Sequence, residues 1–190
     1  ACTQAPYLPD PLTFQDVFDE ITQVGDLLGE REAAQTLVVE QLAELEQLRA
    51  ERAGASSTAG DPAAEASALW WSSGSDTPYV GAGTGAPQMI MDEVGLTNIA
   101  GDLAGGWGPY SWEAATAADP DVIVLVDSSW NTAEKKKETL AANPVTASLR
   151  AVQEERYLVV PFAATEGGVR NVEAVRTLSE QLADLQAAGA

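Results

Sequence analysis

Residues 67–72, SALWWS, and residues 122–126, VIVLV, decide the fold. Each is a short apolar run rich in β-branched or aromatic residues, and neither alternates with polar positions. Tyr157–Val160, YLVV, is a third run of the same kind. A strand without polar alternation is buried on both faces, which is the condition of a parallel strand with helices on either side. Between these runs lie stretches with helical character: Pro87–Val94, Trp112–Ala118, Ala133–Ala142 and Val169–Ala188. Strands alternating with helices predict an α/β lobe, Rossmann-like, with a mostly parallel sheet flanked by helices.

Upstream of the first strand the pattern is purely helical. Phe14, Val17, Phe18, Ile21, Val24, Leu27 and Leu28 recur at helical spacing. Thr13 stands as the N-cap with Asp16 in a capping-box position, and Gly29 is the expected stop. A second helix is predicted from Glu30 to Arg52, with Ala33, Ala34, Leu37, Val38, Leu42, Leu45 and Leu48 as its apolar stripe. Residues 1–12 hold Pro6, Pro9 and Pro11 and read as an extended entry segment. AGASSTAGDPAAEA (Ala53–Ala66) is small, polar and turn-forming. The expected organisation is an entry segment over 1–12, a helix pair over 13–54, a linker over 55–66 and the α/β lobe over 67–190.

Charge and composition exclude several classes of function. Among 190 residues, 29 acidic and 10 basic side chains give a net charge of −19, which repels phosphate backbones and anionic lipid. Nucleic acid and membrane surfaces are therefore poor partners. The chain has no histidine and one cysteine, Cys2, which removes most zinc, haem-imidazole and triad chemistry and any internal disulfide. No resident cofactor and no enzymatic activity are expected. A lipid-bearing Cys2 would require Ala1 to have been cleaved away, which speaks against that role.

In such sheets ligands bind beyond the carboxyl ends of the strands. Three loops occupy that place: SSGSDTPYVGAGTGAP (Ser72–Pro87), DSSWNT (Asp127–Thr132) and PFAATEGGVR (Pro161–Arg170). Each combines Gly, Ser or Thr with an aromatic residue: Tyr79, Trp130 and Phe162. Trp107, in GGWGPYSW, sits in a segment too rich in glycine to be buried by its neighbours. Flat aromatic rings on such loops suit ligand stacking. GAGTG (Gly81–Gly85) before a helix has the glycines of a phosphate loop but lies too far from the strand for a dinucleotide fingerprint. Asp76, Asp127 and Glu166 are loop carboxylates without a spacing that pairs them, and Lys135–Lys137 reads as a solvated helix face.

Several segments in order resemble the class III, helical-backbone solute-binding proteins of bacterial ABC importers, which carry cobalamin, iron-siderophores or haem. The helix pair precedes the first strand. GAGTGAPQMIMDEVGLTNIAGDL ends like that family's "aGG.NI" turn. SWEAATAADPDVIVL (Ser111–Leu125) is similar to its "S.E.l...dPDvIv" segment, and NPVTASLRAVQEERYLVVP (Asn143–Pro161) to its "...l.AVk..rvy.v" segment. The wording of the three loops looks closer to an actinobacterial subgroup associated with a deazaflavin-cofactor precursor.

The resemblance implies a connecting helix and the C-terminal lobe of a two-lobed protein, with a small-molecule ligand held between lobes and an ABC permease as partner. It implies an extracytoplasmic location, in the periplasm or as a surface-anchored lipoprotein. By the same match Glu113 falls at the docking glutamate that pairs with permease arginine, Trp107 at a cleft tryptophan, and Arg170 at a cleft-side arginine. Thr165 joins Tyr79, Trp130 and Phe162 as an expected ligand contact. Were the ligand haem, Tyr79 or Tyr110 would take the place of histidine. The unpartnered apolar stripe of the helix pair also suggests self-association. Two other readings stay open: an acidic protein-interaction module and a small α/β enzyme.

Overall fold

The computed structural model describes residues 10–58 and 66–188. Cys2, most of the expected entry segment and most of the expected linker lie outside the described residues. Helix α1, Phe14–Leu28, begins with the predicted capping box: the Thr13 hydroxyl accepts from the Asp16 amide at 3.2 Å, and the Asp16 carboxylate accepts from the Thr13 amide at 2.9 Å. Gly29, at φ +76°, ends it in the left-handed conformation that glycine adopts without strain. Helix α2 runs Arg31–Thr58, six residues beyond the expected end at Arg52. Ala53–Thr58 continue the helix because nothing there breaks it, the next proline being Pro62. The part of the linker from 55 to 58 is thus helical.

The sheet has the strand order β4-β2-β1-β5-β6, with β3 also on β1. The strands are β1 Ala66–Ser73, β2 Tyr79–Gly81, β3 Leu96–Asn98, β4 Trp107–Pro109, β5 Val122–Asp127 and β6 Tyr157–Pro161. β5 and β6 run parallel to β1, as expected; β3, also parallel to β1, was not anticipated, and β2 is antiparallel to both β1 and β4. Helices α3 Ala86–Val94, α4 Trp112–Ala118, α5 Ala133–Ala142, α6 Arg150–Gln153 and α7 Asn171–Ala188 cover the two faces.

Two apolar clusters explain the unbroken strands. Trp70, Val124, Leu158 and Val160 pack with α1, α3 and α7 on one face. Leu69, Trp71, Ile123 and Leu125 pack with Trp112, Leu140 and Leu149 on the other. Each fully buried large side chain contributes about 1.5–3 kcal/mol, so period-2 polarity would destroy one of the two layers.

Ion pairs and side-chain bonds fix the surrounding helices. Arg52 donates to the Asp92 carbonyl at 2.7 Å and Arg49 pairs with Glu93, which clamps α2 to the end of α3. At the terminal strand β6, the Gln181 side chain of α7 accepts from the Val159 amide at 2.7 Å and donates to the Val159 carbonyl at 3.0 Å. One surface stays apolar: Val24, Leu27 and Leu28 are exposed beside a groove of about 370 Å³ between α1, α2 and Val169.

Candidate functional site

The β2–β4 ladder beside β1 and the turns after β5 and β6 form a rim carrying four aromatic rings in two pairs. On one side of β1, Tyr79 stacks on Trp107 with ring centroids 6.3 Å apart and planes 8° from parallel. On the other side, Trp130 meets Phe162 edge to face at 5.2 Å. Neighbouring strands lie about 4.8 Å apart, so the two pairs, on β2/β4 and after β5/β6, sit roughly 10–20 Å apart across the sheet. Trp130 is 70% exposed, and Tyr79 and Phe162 are each 44% exposed.

Trp107 departs from the expectation of an exposed loop. It opens β4 opposite Gly81 and is half-buried against the cluster that holds Trp70. Glycines bring it in rather than leaving it out: a Cβ on Gly85 would lie 2.6 Å from the Gly106 Cα, so the two backbones touch. The same close packing removes the phosphate-loop reading of GAGTG. The Gly83 and Thr84 amides donate to the Leu103 and Gly105 carbonyls, both at 3.1 Å, and point at protein rather than at a ligand.

The β1–β2 loop that leads into Tyr79 is held by two indoles. Trp71 donates to the Ser73 carbonyl at 2.7 Å, and Trp112 donates to the Ser75 carbonyl at 2.7 Å. The two rings pack edge to face at 5.1 Å. Both tryptophans are buried, so they shape the rim without lining it.

After β5, the Asp127 carboxylate accepts from the Ala133 amide at 2.7 Å and Thr132 caps α5. Ser128 and Asn131 close a tight turn that presents Trp130. The solvated reading of Lys135–Lys137 fails at its centre. Lys136 is 2% exposed, and its ammonium donates to the Val126 carbonyl and, at 3.0 Å, to the Asn131 carbonyl. Burial pushes this ammonium below its ordinary pKa, with Asp127 opposing the shift. Nothing in a KKK run distinguishes the middle residue, so this role was illegible without the packing of α5.

After β6, Thr165 does not line the rim. It is fully buried, and its hydroxyl donates to the Phe162 carbonyl at 2.8 Å, which turns the loop and sets Phe162. The buried Asn171 completes that loop, donating to the Ala164 and Glu166 carbonyls at 3.1 and 2.8 Å and accepting from Gly168. Sequence reasoning missed Asn171, although an asparagine at a helix start after two glycines is a capping signal. Arg170 is exposed in the turn before α7 and forms no ion pair among the described residues.

Glu113 stands exposed in the first turn of α4, accepting from the Ser111 hydroxyl at 2.7 Å. That bond and its own backbone amide hold its carboxyl below the usual range. Tyr110 lies half-buried with its hydroxyl on the Ile99 carbonyl, which leaves Tyr79 as the phenol at the rim. A hollow of about 450 Å³ opens beside Leu12, Thr84, Gln88 and Thr97, and none of the rim aromatics lines it. Among the described residues there is no group of acidic or cysteine side chains able to hold a metal ion, and no helix long and apolar enough to cross a membrane.

Solved structures share this architecture. An ABC-type Fe3+-hydroxamate transport system protein from Saccharomonospora viridis superposes with a TM-score of 0.76 at 22% identity, over 93% of this chain and 58% of its own. A periplasmic binding protein from Veillonella parvula gives 0.74 at 22% identity, over 90% of this chain and 57% of its own. The periplasmic haem-binding protein RhuT from Roseiflexus gives 0.74 at 22% identity, over 93% and 65%. The chain thus spans less than two thirds of the length of each. No curated protein sequence matches it. A family model described as periplasmic binding protein matches residues 4–164, and the chain belongs to that periplasmic binding protein family.

Proposed function

We propose that this chain is a ligand- and permease-facing lobe of the substrate-binding component of a bacterial ABC importer, acting outside the cytoplasm. The observation that carries the reading is the pair of aromatic couples: Tyr79–Trp107 on the β2–β4 ladder beside β1, and Trp130–Phe162 just past the carboxyl ends of the parallel strands β5 and β6. Rings already stacked on one another lose little further freedom when a ligand settles on them. The spacing suits a bulky, partly planar ligand of the iron-siderophore, haem or cobalamin kind, with a deazaflavin precursor as the alternative within the same class. The proteins of similar fold described as Fe3+-hydroxamate and haem carriers support that choice. In this reading Arg170 offers a cation to an acidic ligand group, Thr165 holds Phe162 in place, and Glu113 docks on a guanidinium of the permease.

The test is titration of a ferric trihydroxamate, haemin and cobalamin against the native protein and against Tyr79→Ala, Trp107→Ala and Trp130→Ala. One of the three ligands should bind, and each substitution should weaken it about tenfold or more, the loss typical of a buried aromatic anchor. Unchanged affinity in all three variants would remove the cleft assignment.

The exposed Val24, Leu27 and Leu28 around the α1–α2 groove favour a second reading, an interaction module with self-association as one form. Sedimentation at micromolar concentration separates the two: a monomer that binds ligand supports the first reading, and a dimer without ligand affinity the second.

A further inference from the structure

The buried Lys136 has no part in the reading above, and its placement needs a reason. An ammonium withdrawn from water is costly unless its donors are engaged. Here the ammonium bridges two backbone carbonyls: Val126, near the end of β5, and Asn131, which directly follows Trp130. The turn between them has otherwise one local side-chain closure and one long contact to β1. The Ser128 hydroxyl accepts from the Asn131 amide at 3.2 Å, and the Asn131 side chain reaches the Ser72 carbonyl at 3.5 Å. Trp130 is 70% exposed, so its ring has little protein around it beyond its edge-to-face contact with Phe162. The backbone beneath the ring must therefore supply the order that the ring's surroundings do not.

We propose that Lys136 is a positioning residue that pins the Ser128–Asn131 turn to the end of β5 and so holds Trp130 in place against Phe162. The proposal rests on the reading of Trp130 as a ligand contact. It adds that this aromatic wall is preorganised from inside the lobe, by a cation reaching up from α5 rather than by the loop's own sequence.

The test uses the whole chain, unliganded, labelled with 5-fluorotryptophan and observed by fluorine NMR, with the Trp130 line assigned by Trp130→Phe. In the native protein Trp130 should give one narrow line displaced from that of free fluorotryptophan. In Lys136→Met the melting temperature should stay within a few degrees, while the Trp130 line moves toward the free position and the Trp70 and Trp71 lines stay. Exchange of the Asn131 and Thr132 amides should speed by about fivefold to tenfold, the effect of one lost hydrogen bond. An unmoved Trp130 line in a folded Lys136→Met protein overturns the proposal. If that variant does not fold, the native spectrum decides: a Trp130 line at the free position shows an unpinned ring and overturns it equally. A moved line in Lys136→Met, together with unaltered ligand affinity in Trp130→Ala, leaves the positioning role intact and removes the cleft reading instead.

Discussion

The indole N–H of Trp112 donates to the backbone carbonyl of Ser75 at 2.7 Å, so the first turn of α4 and the loop leading into Tyr79 are bonded to each other. Trp112→Phe keeps the edge-to-face packing on Trp71 but deletes this bond. The expected cost is about 0.5–1.5 kcal/mol, the net worth of one such hydrogen bond. Urea denaturation measures it, and a change below a few tenths of a kcal/mol would show that water replaces the indole freely.

The Asp121 carboxylate gives the chain an acid-sensitive joint. Burial pushes this carboxyl up, but the Ser67 hydroxyl and amide, at 2.7 and 2.8 Å, together with Arg150 outweigh it and hold Asp121 below its ordinary 3.8. A carboxyl depressed by folding stabilises the fold above its unfolded pKa and loses that contribution as pH falls through the folded value. The stability gap between the native chain and Asp121→Asn should therefore be constant from about pH 7 to about pH 5 and shrink below about pH 4. Denaturation curves across that range check it; a gap that persists undiminished at about pH 3 contradicts the assignment.

Sequence reading recovered the long strands because β1, β5 and β6 are buried on both faces and carry continuous apolar runs. It missed β2, β3 and β4, three residues each, because YVG, LTN and WGP have no periodicity to read; their pairing comes from the edges they meet. The rim aromatics were visible one by one. Their coupling was not, since Tyr79 meets Trp107 only across the β2–β4 ladder and Trp130 meets Phe162 only because β5 and β6 are neighbours. Thr165 shows the limit for hydroxyls: in a strand-end loop the sequence looks the same whether the side chain faces outward or turns back on Phe162, as it does here.

Gly83 is held by steric closeness rather than by chemistry. A Cβ there would lie 1.9 Å from the Gly101 carbonyl oxygen, with backbone on both sides. Gly83→Ala should destabilise the chain by about 1–3 kcal/mol through forced backbone displacement and should also disturb Trp107, whose strand follows the displaced segment. Thermal unfolding reads the first effect and near-ultraviolet circular dichroism the second. A melting temperature equal to that of the native chain would mean the 101–106 segment yields easily.

Glu113 is exposed and bonded only within its own helix turn, so its removal should leave folding and ligand affinity untouched. Glu113→Ala should lower ligand uptake through the permease about tenfold, and Glu113→Arg should lower it further by placing like charges together. Uptake by membrane vesicles, with ligand affinity measured alongside, is the check. Unchanged uptake in both variants would move docking to another surface.

The amide of Gln181 faces the backbone of Val159 as another chain's peptide group would, occupying both of its hydrogen-bonding sites. Strand β6 ends the sheet, and a terminal strand with free amides and carbonyls is a template for pairing with a neighbouring molecule. One side chain on α7 thus acts as a counterfeit strand, one residue long. Removing it would leave the fold standing but hand each molecule an open edge. Sheet-to-sheet pairing between molecules is what that single amide opposes.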